Sequence, residues 1–146
     1  MATYVTSVNG LSNFPNLTSL NLVVNQLTEV DLTGLPNLVQ LYLSSNNIAS
    51  VDLSNCPLLT QVNLQNNPSL NITAVPALGS CLYFSGYNCS ISTTIVDIIL
   101  LNLSNNGISG GAAFLDGGSN GIPTGTGISA ALYLTGDAGW SVTYNT

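Results

Sequence analysis

The side chains able to do chemistry in this chain are few and of one sign. Six carboxylates (Glu29, Asp31, Asp52, Asp97, Asp116, Asp137) and three thiols (Cys56, Cys81, Cys89) stand among 146 residues without lysine, arginine or histidine, for a formal charge of −6. With no histidine the usual general base is missing, so neither a Ser/His/Asp nor a Cys/His site can be built within the chain. With no cations it cannot neutralise phosphates, which argues against nucleic-acid binding, polybasic membrane attachment and a lysine or arginine phosphate clamp. What remains for an enzyme is a carboxylate pair of the kind that hydrolyses glycosides. Asp31 and Asp52 are the candidates, because Val30-Asp31-Leu32 and Val51-Asp52-Leu53 recur at equivalent places. On adjacent turns of a repeat these two could share a proton or bind calcium. A calcium site needs more oxygen ligands than two carboxylates supply. The expectation is therefore two solvated turn residues, with no catalytic residue, no metal and no cofactor.

An odd number of cysteines leaves at least one thiol unpaired. Cys56, in the Asn55-Cys56-Pro57 turn, reads as interior packing, whereas Cys81 and Cys89 flank Tyr83 to Tyr87 and could pair in an oxidising compartment. Without histidine or a Cys-x-x-Cys pair, a zinc site is not expected. The N-terminus has neither a charged n-region nor an apolar h-region, so no secretory signal is visible. The glycosylation triplets at Asn16, Asn71, Asn88 and Asn102 then read as coincidence in an Asn-rich chain. The apolar run through Leu101 falls far short of the roughly 20 residues of a membrane span.

The elements that must position these groups are announced by a phrase, Leu-x-x-Leu-x-Leu-x-x-Asn-x-Leu. It occurs as Leu17, Leu20, Leu22, Asn25, Leu27; as Leu38, Leu41, Leu43, Asn46, Ile48; and as Leu59, Val62, Leu64, Asn67, Leu70, at a period of 21 residues. Within it, alternating leucines face one side of a short strand and the intervening residues the other. One such coil cannot bury its apolar face alone, so coils stack and their strands form a parallel sheet. Asn25, Asn46 and Asn67 would lie above one another as a structural ladder, bonding backbone groups that the turns leave unpaired. The outward columns are Ser19, Asn21 and Val23; Gln40, Tyr42 and Ser44; Gln61, Asn63 and Gln65. Such amides, hydroxyls and one aromatic suit sugar hydroxyls on a concave sheet face, and equally suit a plain solvated sheet.

Residues 11–75 resemble the bacterial and phage type of leucine-rich repeat. The resemblance implies an α/β solenoid with a parallel β-sheet and short turns or 3-10 segments between strands. Residues 1–10 would form a covering strand or a docking segment, residues 11–91 the repeats, and residues 92–146 an α/β cap, all in one globular unit. A fourth coil is blurred over 78–88, where Leu82 and Phe84 keep the alternation but the asparagine falls one place late. After it, Ser92-Thr93-Thr94 opens a helix, with Thr94 and Asp97 at capping-box spacing and Gly107 as a stop. A strand at Ala112–Leu115, a turn-rich stretch over 117–127, an apolar segment Ile128–Leu134 and a closing strand within Gly139–Tyr144 complete the order. This last third is similar to a C-terminal unit that follows such repeats in phage and bacterial surface proteins. The two resemblances imply interaction, not catalysis.

Only 4% of residues are charged and 45% are apolar, against roughly 25% charged in an ordinary domain. So charge-poor a surface is expected to be covered by copies of itself or by other proteins. Two readings follow. One is a virion component of a tailed phage (head decoration, head fibre or tail fibre), assembled in the host cytoplasm with other virion proteins. The other is an extracellular or cell-surface adhesion module that binds a host glycan or protein.

Overall fold

The computed structural model describes residues 3–146. Eight short strands, β1 (Ser19–Asn21), β2 (Gln40–Tyr42), β3 (Ser50–Asp52), β4 (Gln61–Asn63), β5 (Asn71–Ala74), β6 (Tyr83–Ser85), β7 (Ala112–Leu115) and β8 (Ser141–Tyr144), accompany two helices, α1 (Thr93–Ser104) and α2 (Gly125–Gly136). Six strands form one all-parallel sheet in the order β1-β2-β4-β6-β7-β8. The leucine alternation explains it: Leu20, Leu41, Val62 and Phe84 are in register and face inward, while their neighbours face out. Each inward column is continuous from coil to coil, and Leu27, Leu38, Leu41, Leu43, Leu59, Leu64 and Leu70 lose all exposure. At about 25 cal/mol per Å² of apolar area removed from water, this leucine stack is the main source of stability.

A second parallel sheet, β3-β5, lies on the return side of the coils. It corrects the sequence reading of the Val51-Asp52-Leu53 triplet as a turn: Val51 is buried and Ser50 and Asp52 point out, a two-residue alternation that was present in the sequence. The fourth coil corrects another reading. The spacing from Val62 to Phe84 is one residue longer than from Leu41 to Val62, so Leu82 is exposed, Cys81 takes the inward place of Leu17 and Leu38, and the asparagine slot falls on Cys89. Residues 3–10 form no strand; they lie against the first coil, with Val8 packed on the core. Met1 and Ala2, part of the expected docking segment, lie outside the described residues.

A column of left-handed backbone runs along the stack, in the first four coils directly before the ladder position and in the next coil three residues before Asn120. Val24 (φ 57°), Ser45 (57°), Asn66 (58°), Asn88 (55°) and Gly117 (74°) occupy it in successive coils. Asparagine and glycine suit that conformation, whereas β-branched valine is strained there.

From the fourth coil onward, helices replace turns. α1 and α2 pack on each other behind β6, β7 and β8, each crossing from one parallel strand to the next. The capping box expected at Thr94 and Asp97 does not form; Ser92 is the N-cap of α1 and makes no side-chain cap bond. Asp97 serves the other helix: its Oδ1 accepts from the Thr124 N–H (2.8 Å) and its Oδ2 from the Thr124 hydroxyl, at the N-terminus of α2. That end of a helix favours a carboxylate. Gly127 makes room for it, since a Cβ there would fall 2.1 Å from Asp97 Oδ1. Trp140 closes the last coil, its indole N–H donating to the Ile108 carbonyl (2.9 Å) and its ring lying over Gly111.

Relief of the strained valine gives a clear expectation. Val24 is 57% exposed, so Val24→Asn alters no core contact and should stabilise the fold by about 1 kcal/mol, read as a higher midpoint in thermal unfolding followed by circular dichroism. An unchanged or lower midpoint would contradict the strain.

Candidate interaction surface

The outward sheet face is built by register. One column runs Ser19, Gln40, Gln61, Tyr83, Ala112, Ser141 and the next Asn21, Tyr42, Asn63, Ser85, Phe114, Thr143. The nine expected surface residues do not behave alike. Ser19 and Asn21 are exposed; Val23, Gln40, Tyr42, Gln61, Asn63 and Gln65 are half-buried; Ser44 is buried and thereby removed as a contact residue. Asn21 and Asn63 turn their Oδ1 atoms to the backbone N–H groups of Val23 and Gln65 (3.2 Å each), and the Tyr42 hydroxyl donates to Gln61 Oε1. Much of this polar set is engaged within the sheet itself.

Farther along, the face becomes aromatic. Tyr83 and Phe114 stand on adjacent strands with ring centroids 6.0 Å apart and planes at 63°, an edge-to-face pair. Beside them Ser85 is buried, and its hydroxyl has no partner among the described residues. These three residues were missed because the outward columns were read only over the three regular coils; the inward place of Phe84 puts Tyr83 and Ser85 on that face, and parallel pairing with β7 adds Phe114. On the opposite side an open groove of about 740 Å³ runs between α1 and α2, lined by Leu101, Ser104, Gly125, Ser129 and Tyr133.

Behind the sheet, the ladder asparagines are structural. Asn46 Oδ1 accepts from the Leu27 N–H (3.0 Å) while its Nδ2 donates to the Leu22 and Leu43 carbonyls (2.9 Å each). Asn67 repeats the set one coil on, with Ile48 (3.1 Å), Leu43 (3.0 Å) and Leu64 (2.8 Å). Asn25 accepts from the Val5 N–H (2.9 Å) and donates to Leu22 (3.1 Å). In the fourth coil the Cys89 thiol donates to the Leu64 carbonyl (3.3 Å) in the same place. Asn120 then resumes the pattern with Ile91, Gly86 and Leu115. Cys89 and Asn120 lay outside the sequence reading of the ladder, the first because it is not an asparagine and the second because a longer excursion through α1 separates it from its predecessors.

The thiols do not form the disulfide considered for Cys81 and Cys89; all three cysteines are free and buried. The extended β6 runs between those two, so their side chains occupy inward slots at its opposite ends. Burial pushes Cys56 and Cys89 up to about 11 and Cys81 to about 12. Asp31 and Asp52 act as turn caps: their Oδ1 atoms accept from the N–H groups of Thr33 (2.9 Å) and Ser54 (2.8 Å). Both carboxyls are held below the ordinary value, Asp31 chiefly by the Thr33 N–H and Asp52 chiefly by the Ser54 hydroxyl. Together with Glu29 they line a shallow groove of about 510 Å³. Among the described residues, no three ligating side chains come together as a metal site.

The coil geometry, the asparagine ladder and the all-parallel sheet define a leucine-rich-repeat solenoid. Residues 15–52 match the family model described as Leucine Rich repeats (2 copies), and the coils that follow keep the same register. No curated protein and no solved structure matches the chain.

Asn67→Ala strands the buried Ile48 N–H and removes one of the two donors that reach each of the Leu43 and Leu64 carbonyls, so it should cost about 2–3 kcal/mol in urea denaturation. Asn25→Ala, at the open end of the stack, should cost about 1 kcal/mol; equal losses would deny the ladder its role. The thiols give a pH dependence with a definite sign. Their pKa values are raised in the folded chain, so their contribution is complete below the ordinary value of 9.0 and is lost as the pH climbs toward 11 to 12. The melting midpoint should accordingly fall above pH 9, and less steeply in Cys81→Ala.

Proposed function

We propose that this protein is a non-enzymatic assembly scaffold, in its finer form a virion component of a tailed phage such as a decoration, head-fibre or tail-fibre protein. Leucine-rich repeats mediate protein–protein interaction. The observation that carries the reading is a surface almost without charge whose helical side exposes Ile98, Leu101, Ile128, Leu132 and Tyr133, the last three at 40%, 63% and 46%. Apolar groups left in water on that scale mark a contact surface. The resemblance of the last third to phage and bacterial surface proteins supports the finer form. A second reading, recognition of a host glycan or protein through the sheet face, is favoured by the Tyr83–Phe114 pair, since edge-exposed aromatic rings stack on apolar sugar faces.

Purified particles from the source, digested with chymotrypsin, decide between them. Trypsin has no lysine or arginine to cut at. Peptides of this chain at a constant ratio to the major capsid protein are the expected result, and their absence would overturn the virion assignment. Retained binding of particles to host cells by Phe114→Ala would leave the scaffold reading alone; lost binding would support recognition.

A further inference from the structure

The described residues leave half a coil uncovered at each edge of the six-stranded sheet. At the start, the Val5 N–H donates to Asn25 Oδ1 and the Val5 carbonyl accepts from the Gln26 N–H (3.0 Å). Leu27 makes the same two bonds with Asn46 and Asn47, and Ile91 with Asn120 and Gly121. Val5 therefore holds the phase of Leu27, and residues 3–18 trace the return half of a coil, with no strand paired outside β1 among the described residues. At the other extremity, register carried through the sheet puts Ser141 in phase with Ser19 and Thr143 with Asn21. Residues 141–146 thus trace the strand half of a coil, and among the described residues no strand pairs outside β8.

The core columns are open at the same two places. Phe14 is 60% exposed where its equivalents Leu35 and Cys56 are at 0%. Leu17 and Leu22 are half-buried where Leu38 and Leu43 are sealed, and Val142 and Tyr144 are half-buried where Ala113 and Leu115 are sealed. Leu132, at 63% exposure, stands with Val142 and Tyr144 beside a groove of about 290 Å³ between α2 and β8. Neither half-coil carries a charged side chain, since the first acid is Glu29 and the last Asp137. One carboxylate, Asp116, lines the groove at the tail, where it accepts from the Thr143 hydroxyl; the half-coil 3–18 at the head carries none, so a head meeting a tail sets no carboxylate of 3–18 against it.

We propose that copies of this chain bind head to tail, β8 of one pairing in parallel with β1 of the next. The strand segment 141–146 then lies beside β1 in the parallel register that relates successive coils inside the molecule. Val142 and Tyr144 come over Leu20 and Leu22, and Leu132 meets the uncovered Phe14 end. The contact is heterologous, so it leaves a free head and a free tail on every oligomer. This inference rests on the assembly reading above and names its partner as a second copy.

Sedimentation velocity of the 146-residue protein from low micromolar concentration to its solubility limit tests it. Phe14→Glu blocks the head and Leu132→Glu the tail; both replace exposed side chains, and circular dichroism checks that they fold. The expected result is wild-type oligomers that lengthen with concentration, each variant alone monomeric, and an equimolar mixture that stops at a dimer. A wild type that stays monomeric throughout, or either variant still self-associating, overturns the stacking. A monomeric wild type nonetheless present in purified particles would sink the stacking and leave the scaffold reading intact; head-to-tail oligomers from a protein absent from particles would do the reverse.

Discussion

Everything in this molecule depends on hydrogen bonding from coil to coil. A chain without a basic side chain can form no side-chain ion pair, and its core columns are almost wholly aliphatic. Leucine burial is non-directional and would tolerate slippage of one coil against the next. Direction comes from the ladder. Each buried asparagine accepts from the coil below and donates to carbonyls of that coil and its own, so a slip of one residue would strand three polar groups at once. Specificity of stacking is thereby concentrated in a few amides, while the leucines supply most of the energy.

The first three coils were legible in the sequence because their period never varied. Identical spacing of Leu17, Leu38 and Leu59 aligned every other position with them. Legibility failed where one residue was added between Val62 and Phe84. Phe84 was read inward and is inward, but the added residue leaves Leu82 outside the strand and exposed and moves the asparagine slot to Cys89; the outward columns, read over the regular coils alone, stopped short of Tyr83 and Ser85. The β3-β5 sheet was missed for a different reason: strands of three or four residues offer a single alternation, too little to distinguish Val51-Asp52-Leu53 from a turn. Asp97 shows the limit of local reading altogether. Its spacing to Thr94 matched a helix cap of its own, but the stronger partner was Thr124, 27 residues away.

The surface residues divide along the same line. Columns were predictable from alternation, but their availability was not, because Tyr42 is tied to Gln61 and Ser44 is buried through contacts that only the register of neighbouring coils creates. Cys89 is comparable. Its identity suggested redox chemistry, and its position made it a substitute for asparagine, with one weak donor in place of two strong ones and no acceptor for the coil below. The fourth coil is thus the least tightly tied joint, and it lies where turns give way to helices.

That change of construction has a consequence for how the chain comes together. In a stack where each coil touches only its neighbours, order spreads from wherever it is easiest to start. The helical end is such a place, because α1 and α2 form their backbone bonds locally and pack on each other, whereas the turn-built coils gain little until the one beside them is in position. Trp140, the lone indole, sits in that helical end. It therefore watches the seed rather than the spread, and its emission would report completion while the first leucine coils are still unwound.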